Sequence, residues 1–229
     1  MAERTFSSLD RLICAADDSL TVLFGHQAGT NRPDPADGIA EGDLTPAERN
    51  LSARLMRVNH VGEICAQALY QSQALTARSD RVRKTLSLAA LEEQDHLRWC
   101  ENRINSLGGR KSLLNPVWYL GSFTIGLAAG FAGDRINLGF LRETELQVEG
   151  HLHSHLDRLP RDDLASRTVV NAMKEDERQH GETAHRAGAS ELPLAIKSLM
   201  RLASRVMTCL LYTSPSPRDY AASRMPSSA

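Results

Sequence analysis

Two short segments of this chain are near copies of each other, and they limit what the rest can fold into. One reads Glu92-Glu93-Gln94-Asp95-His96 and the other Asp176-Glu177-Arg178-Gln179-His180. Each places a glutamate and a histidine three residues apart, about 300° of helical rotation and roughly 4.5 Å of rise, so both side chains share one face of a helix. A carboxylate oxygen and an imidazole nitrogen so placed can grip one metal ion. Two such grips on two helices point to two ions. The plain alternative is a solvated i,i+3 surface pair. A third pair, Glu182/His185, fits that alternative, because Glu182 lies five residues past Glu177 and so about 140° around the helix.

Composition narrows the setting. At 229 residues the chain can bury one sizeable core. A net charge of −1 leaves no basic footprint for nucleic acid. The cysteines at 14, 65, 100 and 209 form no C-x-x-C, which argues against a disulfide framework, a zinc ribbon or a rubredoxin-type iron site. Cys65 and Cys100 read as small buried residues in a reducing compartment. The N-terminus carries acidic residues and no signal-type apolar run, so a cytoplasmic protein is expected. Aromatics are only 5%, and long stretches of Ala, Leu, Glu, Arg and Gln favour helix.

The pattern predicts an all-α chain. Residues 1–28 hold an N-terminal amphipathic helix over 7–24, with Leu9, Leu12, Ile13, Leu20 and Leu23 on one side. Residues 29–45, rich in Pro, Gly and Asp, read as a linker. Thr45-Pro46-Ala47-Glu48 is a capping box with Pro at the first helical position, opening a helix to about 78 that carries Glu63. Ser79 caps a second helix of about 80–107, ended by Gly108-Gly109, with Glu93 and His96 near its middle. From Ser112 to Gly133 run 22 residues without a charge, including Trp118, Tyr119, Phe123, Ile125, Leu127 and Phe131. A buried crossover helix is one reading. An interfacial element that dips into lipid is preferred, because Trp and Tyr stand at one end. Asp134 then caps a helix of about 135–158 with Glu143, Glu145, Glu149 and His151. A helix of about 163–187 carries Glu177 and His180, and a last one covers about 192–209. Residues 210–229, Ser- and Pro-rich, read as a disordered, non-native tail.

The order helix, turn, helix, apolar crossover, helix, turn, helix is an internal duplication within residues 46–209. Glu63 precedes Glu93 by 30 residues and Glu145 precedes Glu177 by 32. Each half offers a lone Glu and a Glu-x-x-His. That constellation resembles ferritin-like di-iron and di-manganese carboxylate bundles with one long crossover. Four carboxylates facing one another could not all ionise without cations, and two divalent ions bring +4 against −4. Mixed carboxylate and imidazole ligation suits iron or manganese; zinc prefers more nitrogen and sulfur, and calcium excludes imidazole.

The run Leu55-Met56-Arg57-Val58-Asn59-His60-Val61-Gly62-Glu63 is similar to the RVNHxGE signature of demethoxyubiquinone hydroxylases, di-iron monooxygenases of ubiquinone biosynthesis. Glu93-Gln94-Asp95-His96-Leu97, Leu113-Leu114-Asn115-Pro116-Val117-Trp118 and Asp176-Glu177-x-x-His180 resemble the same family, over about residues 46–208. Matched position by position, the resemblance implies Glu63, Glu93, His96, Glu145, Glu177 and His180 as ligands of two irons, the residues the duplication also selects. Glu149 and His151 are candidates beside the ligands or the substrate, with a solvated Glu and a crossover-facing His as the alternative. The resemblance stops near Thr208, and the residues beyond it look foreign to the family.

The resemblance further implies hydroxylation of a polyprenylated methoxy-benzoquinol with O2. It implies NADH as electron source, although no nucleotide-binding Gly motif is present. It implies a peripheral site on the cytoplasmic face of a bacterial inner membrane, and a lipid-binding partner protein of ubiquinone biosynthesis. Two rival readings stay open. A ferritin- or rubrerythrin-like protein that oxidises iron or reduces peroxide predicts a polar crossover. A non-enzymatic membrane-bound helical scaffold predicts no tight metal.

Overall fold

The computed structural model describes residues 7–25 and 28–213. Seven helices follow one another: α1 Ser8–Phe24, α2 Pro46–Thr76, α3 Asp80–Ser106, α4 Asn115–Phe131, α5 Asp134–Arg158, α6 Leu164–Arg186 and α7 Leu194–Thr213. Four of them, α2, α3, α5 and α6, form a ferritin-like bundle of two hairpins. α4 crosses between the hairpins, and α1 and α7 flank them.

Local chemistry explains the boundaries. Thr45 and Glu48 form the expected capping box, each accepting from the other's backbone N–H (3.3 and 2.9 Å). The Ser79 hydroxyl accepts from Val82 N–H at 3.2 Å and opens α3. Asp134 does not cap α5 with its side chain. It reaches back instead to accept the backbone N–H groups of Arg78 (2.8 Å) and Ser79 (2.9 Å), so it pins the α2–α3 turn to the start of the second hairpin.

The bundle interior is layered along its length. One apolar core includes Met56, Trp99, Leu152, Val170 and Met173. Another, toward the opposite end, includes Tyr70, Leu86, Leu138, Leu141 and Ala184. Between them on the same four helices lie Glu63, Glu93, His96, Glu145, Glu177 and His180. The polar band is thus closed above and below by apolar packing.

The crossover is two-sided. α4 lies along α2 with Tyr119, Gly126, Ala129 and Gly130 buried. A Cβ at Gly126 would strike the Ser72 hydroxyl and the Leu69 carbonyl, and one at Gly130 would strike the Thr76 side chain. Glycine is what lets the helices approach so closely. The other face of α4 leaves Val117, Leu120, Ile125 and Phe131 exposed, while Phe123 and Leu127 are half-buried. The apolar run is therefore buried against α2 on one face and exposed on the other.

Two expectations need revision, those for the linker and for the C-terminal tail. Residues 29–45, read as a linker, form a strap laid against α3 and α6, through hydrogen bonds from Thr30 to Asp95, Arg32 to Asp176, Asn102 to Asp34 and Arg103 to Glu41. α1 is anchored by its C-terminal end, where Val22 is buried, Leu23 packs partly and Ser19 bonds to the Tyr119 hydroxyl (2.8 Å). Leu9, Ile13 and Leu20 face outward rather than onto the bundle, and the Leu12 side chain lies outside the described residues. Finally, α7 continues past 209 to Thr213, and Leu211 is buried against Val58 and Val61 of α2. Residues 214–229 lie outside the described part.

Candidate metal centre

Each half supplies three of the six predicted residues. α2 brings Glu63, α3 brings Glu93 and His96, α5 brings Glu145, and α6 brings Glu177 and His180. All six are buried. Their donor atoms converge into two groups, each lying within 4.8 Å: Glu63, Glu93, His96 and Glu177 in one, Glu93, Glu145, Glu177 and His180 in the other. Glu93 and Glu177 belong to both groups. Glu63 and Glu145 each belong to one, as does each histidine. Glu93 and Glu177 are thus placed where two adjacent donor groups meet, each completed by one further Glu and one His.

The rings are turned alike. His96 Nδ1 faces inward, 2.7 Å from Glu93, 3.4 Å from Glu177 and 3.7 Å from Glu63. His180 Nδ1 lies 3.2 Å from Glu93, 3.4 Å from Glu177 and 3.7 Å from Glu145. Each Nε2 faces outward to another carboxylate: His96 to Asp176 at 3.0 Å and His180 to Glu92 at 2.5 Å. A carboxylate only accepts, so each Nε2 carries the proton and each Nδ1 presents its lone pair to the centre when a metal is bound. The acidic residue before each Glu-x-x-His glutamate therefore holds the histidine of the other motif.

Electrostatics without a cation show why these residues need one. Burial pushes the Glu63 carboxyl well above its ordinary range, with Glu93 and Glu177 adding to the rise. Burial does the same to Glu145, again with Glu177 and Glu93. Burial also opposes ionisation of Glu93, but His96 and His180 outweigh it and hold that carboxyl low; for Glu177 burial and Glu93 are likewise outweighed by the two histidines. Burial disfavours both imidazoliums, yet the surrounding carboxylates raise His96 and His180 well above their ordinary value. The cluster thus holds protons where divalent cations fit. Buried Glu93 Oε1, Glu177 Oε2 and His180 Nδ1 meet only in ion-pair contacts of 3.2 and 3.4 Å and make no well-formed hydrogen bond, and such atoms among a carboxylate and imidazole donor set fit ligation of a metal such as iron.

Several nearby residues were not singled out by the sequence. Tyr70, fully buried, donates its hydroxyl to Glu145 Oε1 at 2.6 Å, and burial followed by the charge of Glu145 keeps the phenol protonated. It stands seven residues after Glu63, two helical turns along the same face, and that spacing was a usable signal. Glu92 and Asp176 were legible as the acidic residue at the same place in both copies. Arg32, which forks onto Asp176 at 2.7 and 3.3 Å, had no signal at all.

The remaining candidates fall elsewhere. Glu149 lines an outer groove with Arg142, Arg178 and His185, away from the six residues. His151 packs against His155 with ring centroids 4.1 Å apart, and neither metal-competent group includes it. Glu182 and His185 are exposed, as expected, and Glu182 pairs with Arg178.

Comparison with known proteins agrees with this geometry. A family model described as "Ubiquinone biosynthesis protein COQ7" matches residues 50–211. A protein of Nitrosomonas europaea named 3-demethoxyubiquinol 3-hydroxylase is 54% identical over 205 residues, covering 90% of this chain and 98% of the relative. Proteins of the same name from Nitrosococcus oceani and Chromobacterium violaceum are 53% and 55% identical, over 93% and 87% of this chain and 99% and 97% of theirs.

Proposed function

Because the chain belongs to the ubiquinone biosynthesis protein COQ7 family, we propose that its buried cluster holds two iron ions and serves the hydroxylation of 3-demethoxyubiquinol. The chain is a hydroxylase enzyme of ubiquinone biosynthesis. The observation that carries the metal assignment is the convergence of four glutamates and two histidines into two donor groups that share Glu93 and Glu177.

Bound iron would supply the electrons and open coordination positions needed to reduce dioxygen. The chain's own residues do the rest. Glu93 and Glu177 stand between the two positions, and Glu63 with His96 and Glu145 with His180 complete them. Asp176 and Glu92 fix the ring orientation of the two histidines. Tyr70 holds Glu145 through Oε1, the oxygen that also lies 3.7 Å from His180 Nδ1. The apolar cores at both ends of the cluster keep bulk water from the reacting groups. Dioxygen as co-substrate and NADH as electron source complete the reaction on this reading.

The substrate's polyprenyl tail gives meaning to the apolar faces outside the bundle. Leu9, Ile13 and Leu20 of α1, Val117, Leu120 and Phe131 of α4, and Leu199, Leu202 and Val206 of α7 are all exposed. All three helices contact α2, which carries Glu63. Among the described residues no helix is long and apolar enough to cross a membrane. The reading therefore seats the enzyme on a bilayer surface, the cytoplasmic face of the inner membrane, through these faces. A lipid-carrying partner protein of the same pathway would meet the same surface.

The test is anaerobic loading with ferrous iron, followed by demethoxyubiquinol and 18O2. About two irons per chain and a product with one 18O are expected. A chain that oxidised iron or consumed peroxide and left the quinol unchanged would belong with the ferritin-like rival.

A further inference from the structure

The two histidine-holding carboxylates look like copies, but their surroundings differ. Glu92 is 41% exposed, and its only ion pair among the described residues is with His180. Asp176 is 14% exposed and takes the guanidinium of Arg32 on both oxygens, at 2.7 and 3.3 Å. A planar guanidinium matched to both carboxylate oxygens fixes the plane of the carboxylate as well as its charge.

The strap is built to deliver that side chain. Gly29 N–H donates to Gln94 Oε1 at 3.1 Å and Thr30 N–H to Asp95 Oδ2 at 3.0 Å. Gly29 has φ +56, and a Cβ there would strike the Asp95 carboxylate, so glycine permits the approach. Arg98 donates to the carbonyl oxygens of Ala28 (3.2 Å) and Arg32 (2.5 Å). The backbone on both sides of Arg32 is thereby fixed to α3, while its guanidinium crosses to α6. It also lies over the Trp99 ring at 5.0 Å, and that ring stands 5.2 Å from the His96 ring. Arg32 thus bears on His96 from two sides.

We propose that Arg32 is a positioning residue that acts through Asp176 on His96, so that the two metal positions are inequivalent. The inference rests on the two-metal reading of the cluster. With Arg32 in place, Asp176 cannot turn toward solvent, and the His96 ring keeps its Nδ1 on the centre. Without it, Asp176 is free to leave, and the His96 position loses its orientation. The His180 position is held by Glu92, which Arg32 reaches through its charge alone and with no hydrogen bond, and keeps its orientation. Loss of a group that orients a ligand histidine lowers metal affinity by about 10- to 100-fold.

Trp99, 5.2 Å from the His96 ring, reports metal at the cluster, and counting bound ions tells how many equivalents stay tight. In a full-length, metal-free chain carrying Trp118→Phe, Trp99 is the only tryptophan. Cobalt(II) bound beside His96 quenches its fluorescence, while cobalt bound per chain is counted by equilibrium dialysis. Arg32→Gln should move half-quenching to about tenfold higher cobalt and leave one equivalent binding as before. Arg32→Lys, which keeps the charge and loses the fork, should show a smaller shift. Asn102→Ala removes only the 2.9 Å bond to Asp34 further along the strap, and should match the parent. If the quenching curve of Arg32→Gln overlaid the parent's, or Asn102→Ala moved it equally, Arg32 would be no more than part of a cover. If the parent bound no cobalt at the cluster, the two-metal reading itself would fail and this proposal with it.

Discussion

His96 donates through Nε2 to Asp176, 3.0 Å away and eighty residues later in the chain. His180 makes the reciprocal bond to Glu92. Each half of the duplication therefore orients the other half's histidine. Neither half holds a complete site by itself, which is why the six donors meet only when both hairpins are packed together.

The sharing of Glu177 between both donor groups makes it the most sensitive of the six. Glu177→Ala is expected to abolish hydroxylation and to reduce iron to one per chain or fewer. Glu182→Ala, on the exposed side of the same helix, should retain wild-type activity and iron. Iron assay with quinol turnover decides it, and wild-type hydroxylation by Glu177→Ala would overturn the ligand assignment.

Metal binding should expel protons. His96 and His180 are raised by the surrounding carboxylates, and Glu63 and Glu145 are raised chiefly by burial, so the metal-free cluster favours protonated groups. Divalent ions need their ligands deprotonated, so loading should release protons, and affinity should rise with pH. Titration calorimetry in buffers of different ionisation enthalpy measures the number. Binding without proton release would mean that the ions sit elsewhere.

His60 should contribute to acid sensitivity. Burial, with the nearby Lys111 charge, pushes its pKa down to about 3, so it is neutral in the fold. The unfolded chain takes up a proton at the ordinary value of about 6.5. Stability is therefore complete above that pH and falls as the pH drops toward 3, by at most about 1.4 kcal/mol per pH unit for this residue. His151 and His155, lowered by burial to about 4 and about 2, act in the same direction. Urea unfolding of His60→Leu should show a shallower loss between pH 6 and 4, and an unchanged slope would refute the contribution.

The outward face of α4 should govern membrane contact. Val117 and Leu120 are 62% and 68% exposed, so Val117→Asp with Leu120→Asp need not disturb packing. The double variant should leave liposomes, keep its iron and melting temperature, and show a higher KM for long-tailed than for short-tailed quinols. Phe123 and Leu127, half-buried, are poorer sites for this test. Retained liposome binding with no change in KM would move the lipid contact to another face.

Much of this was legible in the sequence, for identifiable reasons. Thr45-Pro46-Ala47-Glu48, Ser79 and the glycines at 108, 109 and 188 are local signals, and they placed the helix ends well. The six converging residues were legible because duplication repeats them at matched spacing. The strap was not. Its Pro, Gly and Asp content is that of a linker, and its partners Asp95, Asn102, Arg103 and Asp176 lie 62 to 144 residues away. The outward turn of α1 was also hidden, because an amphipathic pattern gives the apolar side of a helix but not what that side meets.

The reciprocal bonds between the halves carry a consequence for biosynthesis. When Glu63, Glu93 and His96 have left the ribosome, the residues that complete their site, Asp176 and Glu177, are still about eighty positions from leaving it. At roughly 5–20 residues per second, that interval is on the order of ten seconds. During it the first hairpin presents a half-cluster of acids and an imidazole with no opposite wall. A metal can be enclosed from both sides only after the second hairpin has emerged.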